Sequence, residues 1–135
     1  MLYFDTDVII HYIIFQNERK QKFARKIIKQ AIEKNIFCIS TLTLQELAFV
    51  LSKLQLNKIS INKNLEFFLQ FDILTYKKTD IKRGFQIAQK VGFKNINDCI
   101  HTAIAEINCT ELITFNKKDF FKIQKYSELE IKIIT

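Results

Sequence analysis

An α/β fold with a mainly parallel, covered sheet of about five strands is what this sequence predicts, on three observations. Short apolar runs alternate with longer stretches of helical periodicity, the pattern of strands joined by crossover helices. Turn-forming residues, Asn35, Asn57, Gly92, Asn95 and Asn108, fall between those segments, with Asn standing where many chains use Gly or Pro. The length of 135 residues fits one domain, which at this size buries roughly two-thirds of its unfolded surface and needs no staples.

Strands are predicted at residues 2–5, 36–40, 71–75, 111–114 and 130–134, where apolar and β-branched side chains cluster. Helices are predicted at 8–15, 18–34, 42–54, 62–70, 80–91, 98–108 and 117–124. Over 81–91 the spacing of Ile81, Phe85, Ala88 and Val91 sets one inward face opposite Lys82, Gln86 and Gln89. No linker, repeat or low-complexity segment interrupts residues 1–135.

The opening Met1-Leu2-Tyr3-Phe4-Asp5 lacks a basic leader and reads as a core strand. No apolar run approaches the roughly 18 residues of a membrane span. Cys38, Cys99 and Cys109 lie in apolar segments without metal-ligand spacing, which points to reduced, buried thiols. A cytoplasmic protein with no membrane association is the expectation. The net charge of +7, from 21 basic and 14 acidic residues, favours an anionic partner. A bias toward Lys, Asn, Ile and Phe weakens that inference, because coding composition produces it equally well. Arg19, Lys20, Lys22, Arg25, Lys26 and Lys29 form a basic run on one helix, suited to RNA, to an acidic partner or to water alone.

Four acids, Asp5, Glu46, Asp98 and Asp119, each stand where a strand or loop gives way to a helix. In an open α/β sheet those positions share one edge, so residues far apart in sequence converge there. Unit charges about 4 Å apart repel by roughly 4 kcal/mol at a surface-like dielectric, so such a cluster takes up protons or binds a divalent metal. Each acid also has a plainer reading. Asp5 closes an apolar strand beside a dry core, whereas Asp7 suits the first turn of the next helix. Glu46 is in register for a capping box with Thr43, but Leu42, Leu47, Val50, Leu51 and Leu54 suggest a helix that starts before Thr43 and places Glu46 inside its first two turns, where it can face the sheet edge. Asn97 and Asp98 serve as N-cap and first-turn acid, and Asn116 caps a helix whose third residue is Asp119. Thr114 and Asn116 offer neutral oxygens to a ligand water or a scissile phosphate, and Lys117 or Lys118 suits RNA phosphates. His101, one turn after Asp98, could support that acid or touch substrate, but a lone helical histidine is more often a packing or surface residue, and His11 reads likewise.

Taken together, the segments Tyr3-Phe4-Asp5-Thr6-Asp7-Val8-Ile9-Ile10, Ser40-Thr41-Leu42-Thr43-Leu44-Gln45-Glu46-Leu47, Asn97-Asp98-Cys99-Ile100-His101-Thr102-Ala103-Ile104-Ala105 and Leu112-Ile113-Thr114-Phe115-Asn116-Lys117-Lys118-Asp119-Phe120 resemble the PIN-domain family, particularly VapC-like toxin ribonucleases. The resemblance spans nearly the whole chain. It implies a three-layer α/β/α sandwich around the parallel sheet, a helical hairpin inserted near residues 42–70, Mg²⁺- or Mn²⁺-dependent endoribonuclease activity leaving 5′-phosphate and 3′-hydroxyl ends, homodimers, and an antitoxin partner. By motif, Asp5, Glu46 and Asp98 match three acids of the family. Asp119 matches a fourth, and Asn116 replaces the Asp of many relatives, which weakens a second metal position. Thr6 and Thr114 match small hydroxyl positions near the centre. Asp7 stands where relatives often carry Asn.

Two rivals remain. Asp5-Thr6-Asp7-Val8 also looks like the first motif of haloacid-dehalogenase-type phosphatases, with Asp5 phosphorylated and Asp7 as acid/base, although no later Gly-Asp-x-x-x-Asp motif follows. A PIN-like module that binds RNA or a partner without cutting is the other, and Asn116 is the residue that sustains it.

Overall fold

The computed structural model describes all residues from Met1 to Thr135. Four parallel strands, β1 (Leu2–Phe4), β2 (Phe37–Cys38), β3 (Glu111–Thr114) and β4 (Glu130–Ile133), form one sheet in the order β2-β1-β3-β4. β1 is therefore central, with Leu2 opposite both Phe37 and Glu111. The fifth predicted run, 71–75, contributes a single parallel bridge, Leu74 to Ser40 at the β2 edge. Its bonds are those of Leu74 N–H to Ile39 O and Thr41 N–H to Leu74 O, and an exposed Asp72 and Thr75 leave little apolar surface to extend them.

Helices cover both faces. On one, α1 (Thr6–Ile13), α2 (Glu18–Glu33), α3 (Thr41–Lys53) and α4 (Lys58–Leu69) bury Val8, Ile9, Ala24, Ile28, Leu47, Leu51 and Phe68 against Phe4, Phe37 and Ile113. On the other, α5 (Lys78–Val91), α6 (Ile96–Asn108) and α7 (Lys117–Ile123) bury Ile87, Ala88, Cys99, Ile100, Ile104 and Phe120 against Tyr3, Cys38 and Leu112. The alternation Leu2, Tyr3, Phe4 sends neighbouring side chains into opposite layers, as a pleated strand requires.

Helix starts follow local chemistry. Asn17 caps α2 by accepting from Lys20 N–H, and Asn57 caps α4 by accepting from Ser60 N–H, so α4 begins four residues before the apolar periodicity does. The capping box of α3 pairs Ser40 with Thr43, which corrects the Thr43–Glu46 pairing and leaves Glu46 one turn inside the helix, free for other contacts. α6 begins at Ile96 and Asn97 is not its cap. The inward face of α5 also differs. Gly84, Ile87 and Ala88 are buried, with Gly84 directly against Ile100 of α6, while Phe85 is exposed and packs on Phe93. Gly92 ends α5 at φ +111°, a backbone region that disfavours side chains. All three cysteines are unbridged thiols, Cys38 and Cys99 buried and Cys109 half-buried.

Candidate functional site

The carboxyl ends of β1 and β3 are adjacent, so the residues that follow them meet. Asp5 leaves β1 at the cap of α1 and is 5 % exposed. Its Oδ1 accepts from Thr6 N–H at 2.8 Å and its Oδ2 accepts from the Thr114 hydroxyl at 2.7 Å, across a sequence separation of 109. Thr114 Oγ1 in turn accepts from Asn116 N–H at 2.9 Å. Asn116 caps α7 by accepting from Asp119 N–H at 3.2 Å, and its amide donates to Asp119 Oδ2 at 3.0 Å. Asp7, in the first turn of α1, accepts from Phe115 N–H at 3.2 Å. The first-turn reading of Asp7 is thus correct and incomplete, because the same side chain joins α1 to the loop after β3.

Glu46 reaches this edge from α3. Its Oε1 accepts from the Thr6 hydroxyl at 2.8 Å and from His101 Nε2, and its Oε2 accepts from the Asn97 amide at 3.2 Å. Behind it lies a relay that the sequence showed only in part, His101 serving Glu46 and Tyr3 where its spacing suggested Asp98. His101 is fully buried, its Nδ1 is hydrogen-bonded to the Tyr3 hydroxyl at 2.7 Å, and that hydroxyl is hydrogen-bonded to Ser40 Oγ at 2.7 Å. The available signal was the helical register: His101 falls three residues after Asp98, on the same face of α6. Asn97, expected as a cap, is instead the second donor to Glu46.

Electrostatics divide the acids into two kinds. Burial, and then the charge of Asp7, push the Asp5 carboxyl up to about 7, against the relief given by His101 and Thr114. Burial and Asp5 push Asp98 up to about 7 as well, with Asp119 and Glu46 adding to the repulsion. Asp7 is raised to about 6 by burial, with Asp98 contributing, while Phe115 N–H and Lys20 act the other way. Glu46 is the exception. Burial disfavours its charge, but His101, Thr6 and Asn97 outweigh that and hold its carboxyl below the ordinary value. Burial also opposes charge on His101, yet Tyr3, Glu46 and Asp5 together raise it well above the usual range, so Glu46 and His101 form a buried ion pair.

All four predicted acids therefore lie at one edge, coupled through their charges. Thr6, Thr114 and Asn116 are the hydroxyl and amide groups that bind them, whereas Lys117 is exposed beside the edge and bonds to none of them. The donors are hard oxygens, and the Asp98 carboxylate accepts no hydrogen bond from the protein, which suits a divalent cation with oxygen preference such as Mg²⁺ or Mn²⁺. No three His, Cys, Asp or Glu side chains stand close enough to share one ion among themselves. Mg²⁺ does not require that, since it is commonly held by one or two carboxylates, waters and substrate phosphate.

Comparison with solved structures supports the architecture. The chain is 20% identical to a chain of VapBC2 from Rickettsia felis, solved bound to a fragment of promoter DNA, with all of both chains covered and a TM-score of 0.72. It is 21% identical to a chain of DNA-bound VapBC from Salmonella typhimurium (TM-score 0.68) and 22% identical to one of FitAcB from Neisseria gonorrhoeae (TM-score 0.67), in each case over 98% of this chain and 96% of the other. At these identities the likeness establishes the fold. No curated protein sequence matches the chain. The sequence model of the PIN domain, however, matches residues 2–126, which with the parallel sheet and the acids at its edge establishes that this chain belongs to the PIN domain family.

Proposed function

We propose that the protein is a Mg²⁺- or Mn²⁺-dependent endoribonuclease, the toxin of a cytoplasmic toxin–antitoxin pair. The observation that carries this reading is the meeting of Asp5, Glu46, Asp98 and Asp119 at one sheet edge, with two of the carboxyls raised to about 7 by burial and mutual repulsion. Asp5 and Asp98 would hold the principal ion, with Asp119 and Asn116 completing a second position. When bound, such an ion supplies Lewis acidity, lowering the pKa of a water and neutralising charge on the phosphodiester.

The chain's own groups do the remaining work. Thr6 N–H and Thr114 fix both oxygens of Asp5, so that carboxylate is oriented before any ligand arrives. Glu46, kept ionised by His101, is the acceptor toward which an attacking water would be turned. Lys117 and Lys118, exposed at the start of α7, are placed to meet phosphates. Membership of the PIN family sets aside the phosphatase reading of Asp5 and Asp7. An antitoxin partner and a homodimer belong to the proposal: the matched VapBC structures and a toxin–antitoxin complex from Klebsiella pneumoniae support the first, and exposed Phe49, Ile59 and Leu69 on α3 and α4 offer apolar surface for either.

One observation favours a second reading, a module that binds RNA without cutting it: the Asn116 amide is spent on Asp119, where an acid would repel it and leave both free. Incubating single-stranded RNA with the protein and Mn²⁺, then with chelator, decides between them. Metal-dependent cuts lost in Asp5→Asn and Asp98→Asn support the nuclease, while intact RNA together with no Mn²⁺ uptake by calorimetry would establish the binding module.

A further inference from the structure

The helix α2 carries six basic and two acidic side chains, more than half of the net charge of +7 on about an eighth of the chain. Its buried side is Ala24, Ile28 and Ala31, which fixes its orientation on the sheet. Arg19, Lys22, Lys26 and Lys29 recur at spacings of three and four on the opposite, exposed side. Among these only Lys22 has an acidic partner, Glu18, in an exposed pair of little strength. The start of α2 is also at the acid edge: the Lys20 ammonium lies 5.4 Å from the Phe115 ring centroid and lowers the carboxyl of Asp7. Across the edge, Lys117 and Lys118 are exposed on α7.

Building on the nuclease reading, we propose that the outer face of α2 is a phosphate track for the single-stranded RNA flanking the scissile bond. Lys20 takes the phosphate nearest the acids, and Arg19, Lys22, Lys26 and Lys29 take those beyond it. The row from residue 19 to 29 is about 15 Å long at the rise of an α-helix. It contacts about three phosphates and no bases, so it lengthens the required substrate without adding sequence preference. An acidic protein would also suit the charge. Lys20 itself lies on the stripe of Ala24 and Ile28, turned toward Phe115, so the track reaches the acid edge around the N-terminal end of α2, from Lys20 to Arg19, and that continuity favours the strand that must enter that edge.

The test compares wild type with Lys22→Glu/Lys26→Glu/Lys29→Glu on an RNA of about 20 nucleotides and on a tetranucleotide, over a range of salt. The expected result for the variant is a KM for the long RNA raised about tenfold or more with kcat unchanged, a salt dependence of log(kcat/KM) shallower by roughly two, and tetranucleotide cleavage like wild type. Wild-type kinetics and salt slope in the variant would overturn the track, and if that variant had also lost binding to poly-glutamate the face would belong to an acidic protein. Should wild type cut neither RNA, the nuclease reading fails on its own, and fluorescence anisotropy with the labelled long RNA still judges the track: weaker binding by the variant upholds it, equal binding removes it.

Discussion

His101 shows how one side chain sets the chemistry of another. It gives Glu46 a buried positive partner, so Glu46 stays ionised where Asp5 and Asp98 take up protons near neutrality. Replacing it with Ala strands the Glu46 charge and leaves the Tyr3 hydroxyl short of a partner. We expect His101→Ala to cost roughly 3 kcal/mol in urea unfolding, with His101→Gln recovering part of that loss, because truncating one member of a buried pair is costly. The raised acids give a second prediction. Asp5 and Asp98 titrate near 7 in the folded, metal-free protein against an ordinary 3.8, so folding favours their protonated forms. Their contribution is complete below about pH 4 and is lost as pH rises through about 7. Metal-free Asp5→Asn/Asp98→Asn should therefore be more stable than wild type at pH 8, by a few kcal/mol, with the gap closing toward pH 4. Unfolding curves at each pH measure the gap, and a constant one would exclude repulsion as its cause. The acids were legible in the sequence because Asp5, Asp98 and Asp119 stand at helix starts and Glu46 one turn inside α3. Tyr3 was not, and His101 only as a support for Asp98, since an aromatic in an apolar strand and a lone helical histidine look like packing until a carboxylate from another helix is seen beside them.

At the scale of elements, the contact between α5 and α6 is governed by one missing side chain. A Cβ on Gly84 would stand 2.8 Å from Ile100 Cγ1 and 3.2 Å from its Cα, and the latter belongs to backbone that cannot turn aside. Gly84→Ala gains about 1 kcal/mol of helix propensity and loses more to overpacking, so a net loss of about 1–2 kcal/mol is expected in denaturant unfolding. Since α6 also carries Asp98 and His101, the same variant should reduce activity more than its stability alone explains. The helices were read from apolar periodicity, and that reading held where caps agreed with it. It failed in two places for physical reasons. The face of α5 was assigned to Phe85, although close approach at Gly84 turns that ring to solvent. The run 71–75 had strand composition but only one residue in register with the β2 edge.

For the whole molecule, the charge at the sheet edge links stability to a ligand. Mn²⁺ should raise the melting temperature of wild type, by an amount equivalent to about 2.7 kcal/mol at a hundred times its Kd, and should leave Asp98→Asn unmoved. Equal shifts in both would place the ion elsewhere. The order β2-β1-β3-β4 has one more consequence, and it concerns synthesis. Asp5 is made 109 residues before its hydroxyl donor, Thr114, and the strand that presents that donor. Until β3 inserts beside β1 the Asp5 carboxylate lacks that donor and Asp119 is missing from the edge, so on the nuclease reading a nascent chain cannot cut RNA before β3 and α7 have been made and docked.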